Sequence, residues 1–470
     1  MDNFYTSFVG FMNDILYRPY VVPLFLILAG LIFTIGTKCV QLRCLGETFR
    51  VVGEKPKEKG GISSFGALMV STASRVGTGN IIGVSTALCT GGPGAIFWLW
   101  ITALLGGASA FVESTLAQIY KRRDEDGSSY GGPSYYMESA LGQRWLGFIF
   151  AIIIILTYAV GYNMLASYNL QSCFAAFDFY GKNTPLIIGI ILAVLFAAIV
   201  LGGAKRLTKV TGFLVPVMGV FFIVISLVVM VMNFGKLGEM FGMIFRDAFD
   251  FKAIFGGFFG SCIMWGIKRG LYSNEAGMGS APNAAATADV SHPAKQGLVQ
   301  MLSVGIDSLL ICTATAFMCL STGVVPTLEQ SGAPYVQAAM AETLGGFGPV
   351  FIAVALSLFA FTTLIGNYYY CEGCLRFILK RKPSKALLTV FRIAATALVL
   401  VGALLSAGIV WDTADMLQGL MVIINIPVIV ILAKPAFACL EDYMAQKKAG
   451  KDPVYKAKDC GIKQKTEYWN

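Results

Sequence analysis

Long apolar runs cut by short polar stretches set the pattern of this chain. Windows long enough to cross a bilayer fall at about 21–37, 62–90, 93–120, 146–174, 184–202, 208–232, 253–285, 296–323, 347–378, 386–406 and 414–433. An all-α polytopic membrane protein of about eleven transmembrane helices is therefore predicted. Two of the runs break their own pattern. Ser71–Gly83 reads "STASRVGTGNIIG", and 258–282 reads "FFGSCIMWGIKRGLYSNEAGMGSAP". Each opens one of two halves of five spans that follow the first helix. An odd number of spans per half makes the second half enter from the opposite face, and paired glycine-interrupted segments in inverted halves point to a transporter's central site. The expected organisation is 1–61 as first helix and cytoplasmic linker, 62–232 and 233–433 as the two halves, and 434–470 as a cytoplasmic tail.

Composition agrees with a membrane chain. It is 56% hydrophobic and 13% charged, against about 25% charged in soluble domains. The net charge of +9 is not a nucleic-acid footprint, because 27 of the 36 Lys and Arg residues lie in one alternating set of loops and ends and 5 in the other. That asymmetry predicts a cytoplasmic tail and an outward amino terminus. No basic stretch precedes the first apolar run, so that helix is expected to be retained. The eleven cysteines form no framework. The pair Cys371 and Cys374 is read as packing rather than as a metal or redox motif.

Unwound backbone survives in hydrocarbon only where it lines a cavity or binds something. In the first interrupted segment the resuming half-helix points its N–H groups at Gly77, Thr78 and Gly79, flanked by Asn80, a place suited to a carboxylate. The half-helix that stops there frees carbonyl oxygens suited to a hard cation. The same glycines loosely match a dinucleotide loop, but the preceding strand and the later acidic residue are missing.

The stretches "RVGTGNIIGVSTALCTGGPGAIFWLW", "GGPSYYMESALG" and "GLYSNEAGMGSAPNAAATADVSHPAKQGLV" resemble the alanine or glycine:cation symporters, the sodium:alanine symporter family. The resemblance runs from about 60 to 375. It implies the LeuT-type fold of five plus five inverted spans and sodium-driven uptake of small neutral amino acids across the plasma (inner) membrane. Na+ is then the coupling ion, with no organic cofactor and no obligatory protein partner beyond the substrate and lipids. It also implies a sodium site from the hydroxyls of Thr362 and Thr363 and the carbonyls of Ala73, Val76 and Phe359. Within that fold, the ammonium group is assigned to carbonyls near Ser261 and Cys262 and to Asn163, with a side-chain pocket between Trp265, Tyr158 and the helix carrying Asn367. Trp265 is read as a lid at the second break. Two departures bear on the pocket. A usual glutamine in the span from 146 is Ala166, and Asn367 stands where relatives often have a tryptophan. Alanine and glycine lead as substrates, with a polar neutral amino acid such as glutamine as rival.

Intramembrane charges are functional candidates by default. Arg75, Lys268, Arg269 and Glu275 are assigned to gating or bracing, with Lys268 and Arg269 two helical turns before Glu275. His292 is the only histidine, so no Ser-His-Asp set or metal cluster can be assembled, and an enzyme is not expected. A proton-coupled transporter and a non-transporting sensor of the same fold remain open at this point. No filter-like repeat supports a channel.

Overall fold

The computed structural model describes residues 2–17, 21–56, 61–124, 127–250, 262–462, 464 and 466–469. Among the described residues the only sheet is a two-stranded antiparallel ribbon that pairs Arg122 with Tyr130. Eight helices there are long and apolar enough to cross a membrane, and the apolar helix Thr184–Val200 is shorter. Side chains such as Ile187, Val194, Val220 and Val231 stand exposed on their outer faces, as lipid contact allows.

The first interrupted segment starts with helix Ser64–Arg75, capped by Ser63, whose hydroxyl accepts the Gly66 N–H at 3.0 Å. Helical geometry stops at Val76, with φ −76° and ψ 88°. It resumes through a π-helical turn, Gly79–Gly83, into helix Val84–Gly91. The second segment contains helix Cys262–Asn274, a non-helical run, and the short helix Pro282–Ala285. In that run Glu275, Gly277 and Gly279 take φ of 55°, 83° and 80°. Glycine accepts this left-handed backbone freely, whereas Glu275 holds it at a cost. Cys262–Asn274 packs on Val84–Gly91, while Pro282–Ala285 packs on Ser64–Arg75. The two segments therefore run antiparallel and their breaks meet.

The second break falls later than the sequence pattern suggested. Trp265 lies inside helix Cys262–Asn274, ten residues and about 15 Å of helix before Glu275. It is not at the break. Ser261 lies outside the described residues. Alternating glycines after Glu275 supply the dihedrals that end the helix, and bulky residues such as Trp265 propagate it.

Further elements appear beyond the predicted spans. Helix Asp2–Tyr17 precedes Val21–Gly36, and Leu237–Ala248, Ala333–Leu344 and Ala433–Lys448 lie between or after spans. Two more π-helical turns, Leu156–Tyr162 and Gly305–Cys312, sit inside long helices. Such turns often mark functional positions. At one end of the bundle the carboxy-terminal segment folds back. Tyr455 N–H donates to Ser291 O at 3.0 Å and Trp469 Nε1 to Gln118 O at 2.7 Å.

Candidate functional site

The site is built around Val76 and Gly77, where three other elements converge. Gly366 of helix Phe347–Leu379 abuts the backbone of Ala73 and Ser74, and Thr363, one turn earlier, lies on the Cα of Gly77. Any Cβ at Gly77 would overlap Thr363 Oγ1. The neighbouring Gly79 faces the ring of Tyr272. Tyr272 packs edge-on against Tyr162, centroids 4.9 Å apart, and against Trp411 at 5.2 Å. The aromatic at the break is thus Tyr272. Trp265 instead covers Gly91 and lies 5.1 Å from the Arg269 guanidinium and 5.4 Å from Lys268 Nζ.

The two adjacent threonines differ. Thr362 Oγ1 donates within its own helix, 3.0 Å from Leu358 O and 3.1 Å from Phe359 O. Thr363 Oγ1 is buried and has no protein partner. Most buried hydroxyls find a partner, so this one is an exception.

Most of the predicted ligand residues are already engaged with one another. Gly77 N–H donates to Asn80 Oδ1 at 2.7 Å, and Asn80 Nδ2 donates to Asp307 Oδ1 at 2.7 Å. Asn80 therefore ties the break to the π turn Gly305–Cys312. Thr78 Oγ1 accepts from Asn169 Nδ2 at 3.0 Å. A chain of polar groups then crosses four elements. Asn367 Nδ2 donates to Asn163 Oδ1 at 3.0 Å, and Ser74 Oγ stands 2.7 Å from Asn367 Oδ1 and 2.8 Å from Glu275 Oε1. Ser280 Oγ reaches Glu275 Oε2 at 2.8 Å. Asn163 Nδ2 has no protein partner. Tyr158 is fully buried with its ring on Tyr162 and Tyr370. Cys262 lies apart, packed on Ala87 and Ala95, with its thiol 3.7 Å from Asp247 O. The acceptors assigned near Cys262 are about 18 Å of helix from the break.

The charges pair differently from expectation. Lys268 and Arg269 do not brace Glu275; both grip Asp415. Lys268 Nζ is 2.7 Å from Asp415 Oδ2, and Arg269 reaches Oδ1 at 3.2 Å and Oδ2 at 3.0 Å. Helix Cys262–Asn274 is thereby latched to helix Ala407–Ile431. Arg75 is buried, donates through Nη1 to Gln300 O at 3.1 Å, and leaves Nε and Nη2 without a protein partner. Glu113 accepts the Gly279 N–H at 3.1 Å and Asn425 Nδ2 at 3.0 Å, so it secures the second break. Asp415 and Gln418 escaped the sequence reading. The signal for Asp415 was an acid inside the predicted span 414–433, unpaired with any base in that span.

This architecture matches known proteins. The chain matches the sodium:alanine symporter family over residues 1–457. It belongs to that family. It is 45% identical over 469 residues to the amino-acid carrier protein AlsT of Bacillus subtilis, covering 100% of this chain and 98% of the relative. It is 44% identical to the probable sodium/glutamine symporter GlnT of the same organism, over 95% and 92%. Among solved structures, MhsT in complex with L-phenylalanine superposes with a TM-score of 0.55 at 15% identity, over 87% of this chain and 92% of that one. That likeness establishes the LeuT-type fold alone. The symporter is a multi-pass membrane transporter of amino acids driven by sodium, and not an enzyme.

Proposed function

We propose that the symporter imports a small neutral amino acid, with one sodium bound at Thr363, by alternating access about the two breaks. The observation that carries this reading is the buried, unpartnered Thr363 Oγ1 against Gly77. Sodium would sit among Thr363 Oγ1 and the carbonyls of Ala73, Val76 and Phe359, with the neighbouring Thr362 hydroxyl, already bonded within its own helix, contributing little. The substrate carboxylate would meet the N–H groups of Thr78 and Gly79, since the Gly77 N–H already serves Asn80. Glu275 and Ser74, rather than Ser261 and Cys262, are the oxygens best placed at the break for the ammonium group. One sodium moving down about 100 mV and a tenfold gradient releases about 3.7 kcal/mol. That accumulates a neutral solute several-hundredfold.

Alanine is the substrate in the family's description, and glutamine in the name of one relative. The buried amide pair Asn367–Asn163 favours keeping glutamine beside alanine and glycine. In this reading the eight long helices, Thr184–Val200 and the two interrupted segments make up the spans. The amino terminus faces outward and the carboxy-terminal segment lies in the cytoplasm. Lys268, Arg269 and Asp415 then form an outer latch, engaged here. The test is uptake into proteoliposomes under an inward sodium gradient, with L- and D-alanine, glycine and glutamine as competitors. Concentrative, sodium-dependent uptake is expected. Equal uptake from sodium-free buffer at low pH would replace sodium by protons, and binding without flux would make the protein a sensor.

A further inference from the structure

Tyr17 closes helix Asp2–Tyr17, an element the two inverted halves do not include. A bland account makes it a packing contact for that helix. Its partners argue otherwise, because it touches both Asp415 and Lys268 of the Lys268–Arg269–Asp415 latch. The Tyr17 hydroxyl donates to Asp415 O at 2.9 Å. The same oxygen accepts from Gln418 Nε2 at 2.8 Å, and Gln418 Nε2 also lies 3.3 Å from Asp415 Oδ1. The ring of Tyr17 lies 4.8 Å from Lys268 Nζ, within cation–π reach. One side chain therefore contacts the anion's backbone, a donor to its carboxylate, and one of its two cations.

The contacts continue inward. Gln418 Oε1 accepts from the Tyr162 hydroxyl at 2.9 Å. Tyr162 packs on Tyr272, and Tyr272 lies on Gly79. Tyr17, Gln418, Asp415 and Tyr162 are all buried, so losing a partner there leaves a polar atom that water does not reach. Gln418 is the only residue in this set bonded both to the latch and to the tyrosine pair at the break. When the latch opens, the Gln418 amide must choose between Asp415 with Tyr17 and Tyr162.

We infer that Tyr17 and Gln418 are positioning residues of the outer latch: they hold Asp415 toward Lys268 and Arg269 and couple its opening to Tyr162 and Tyr272 at the break. This rests on reading the latch as the outer gate. Asp2–Tyr17 then contributes directly to transport, because it sets the balance between outer-closed and outer-open forms.

The test is a distance distribution measured on the full chain in lipid nanodiscs. Spin labels are carried on Glu329→Cys and Gly408→Cys, both exposed positions, with Cys39 and Cys460 replaced by serine. Tyr17→Phe keeps the ring over Lys268 and removes only the hydroxyl. In sodium with L-alanine it should raise the long-distance population at least threefold, with a melting midpoint within about 2 °C of the parent. Gln418→Leu should shift the distribution in the same direction, and the double variant should add little to the larger single effect, because the two residues act as one unit. If Tyr17→Phe lowers the midpoint without moving the distribution, its role is packing and the inference is overturned. An unmoved distribution at unchanged stability overturns it equally. Asp415→Asn separates the two levels. If it opens the outer side while Tyr17→Phe does not, the gate stands and the role of Tyr17 falls; if neither moves the distribution, the gate reading itself fails.

Discussion

Thr363 Oγ1 lies on the Cα of Gly77, in the space a side-chain carbon would need. The contact joins a continuous helix to the point where another helix unwinds. It leaves one buried hydroxyl without a protein partner, and it explains why residue 77 must be glycine.

The two threonines should therefore differ in their effect on sodium. Thr363→Ala is expected to raise the sodium concentration for half-maximal uptake at least tenfold, about 1.4 kcal/mol. Thr362→Ala should change it less than threefold, because its hydroxyl is already bonded to Leu358 O and Phe359 O. Sodium titrations of alanine uptake decide it, and equal effects would remove the distinction.

Asp415 carries more of the latch than either cation. Asp415→Asn leaves Lys268 and Arg269 without their shared carboxylate, and breaking such a buried pair costs about 3–5 kcal/mol. Uptake should fall more than tenfold and the melting midpoint should drop. Lys268→Gln should stay within threefold of the parent, since Arg269 keeps both contacts to Asp415.

Asn367 joins Asn163 to Ser74. Asn367→Leu has similar volume and removes both bonds. If the amide pair reads a polar substrate side chain, competition by glutamine should weaken at least tenfold while that by alanine changes less than threefold. A parallel loss for both amino acids would make Asn367 a bracing residue only.

The single histidine gives the fold a pH dependence. His292 Nδ1 accepts the Ala294 N–H at 3.2 Å, and Nε2 faces Asp442 Oδ2 at 3.0 Å. Burial pushes the imidazole from its usual 6.5 down to about 4, against the pull of Asp442. Below about 6.5 the unfolded chain takes up a proton that the folded chain refuses until about 4. Stability should thus decline as pH falls through that window, by about 3 kcal/mol in all. Melting midpoints from pH 7.5 to 4.5 measure the slope, and His292→Asn, which keeps an acceptor for Ala294, should flatten it.

Local chemistry made part of this molecule legible in one dimension. Apolar run length, the glycines at 77 and 79, and the motifs around both interruptions pointed to an all-α transporter with two broken segments. The family resemblance added Thr363, Asn163 and Asn367 to Gly77 as candidates, and the fold gathers these four at one place. Other assignments failed because backbone dihedrals and partners are decided between elements. The second break moved from the neighbourhood of Trp265 to Glu275–Gly279, where left-handed backbone is held by Glu113 from another helix. Tyr272 took the place expected of Trp265 because only its ring lies on Gly79. Lys268 and Arg269 turned from Glu275 to Asp415, nearly 150 residues away in sequence. What the sequence by itself determined was the apolar periodicity, the membrane class and the positions where helix must yield. Which buried charge meets which, and which buried hydroxyl is left without a protein partner, only the tertiary structure decided, because a desolvated polar group takes the nearest complementary partner in space, whatever its distance along the chain.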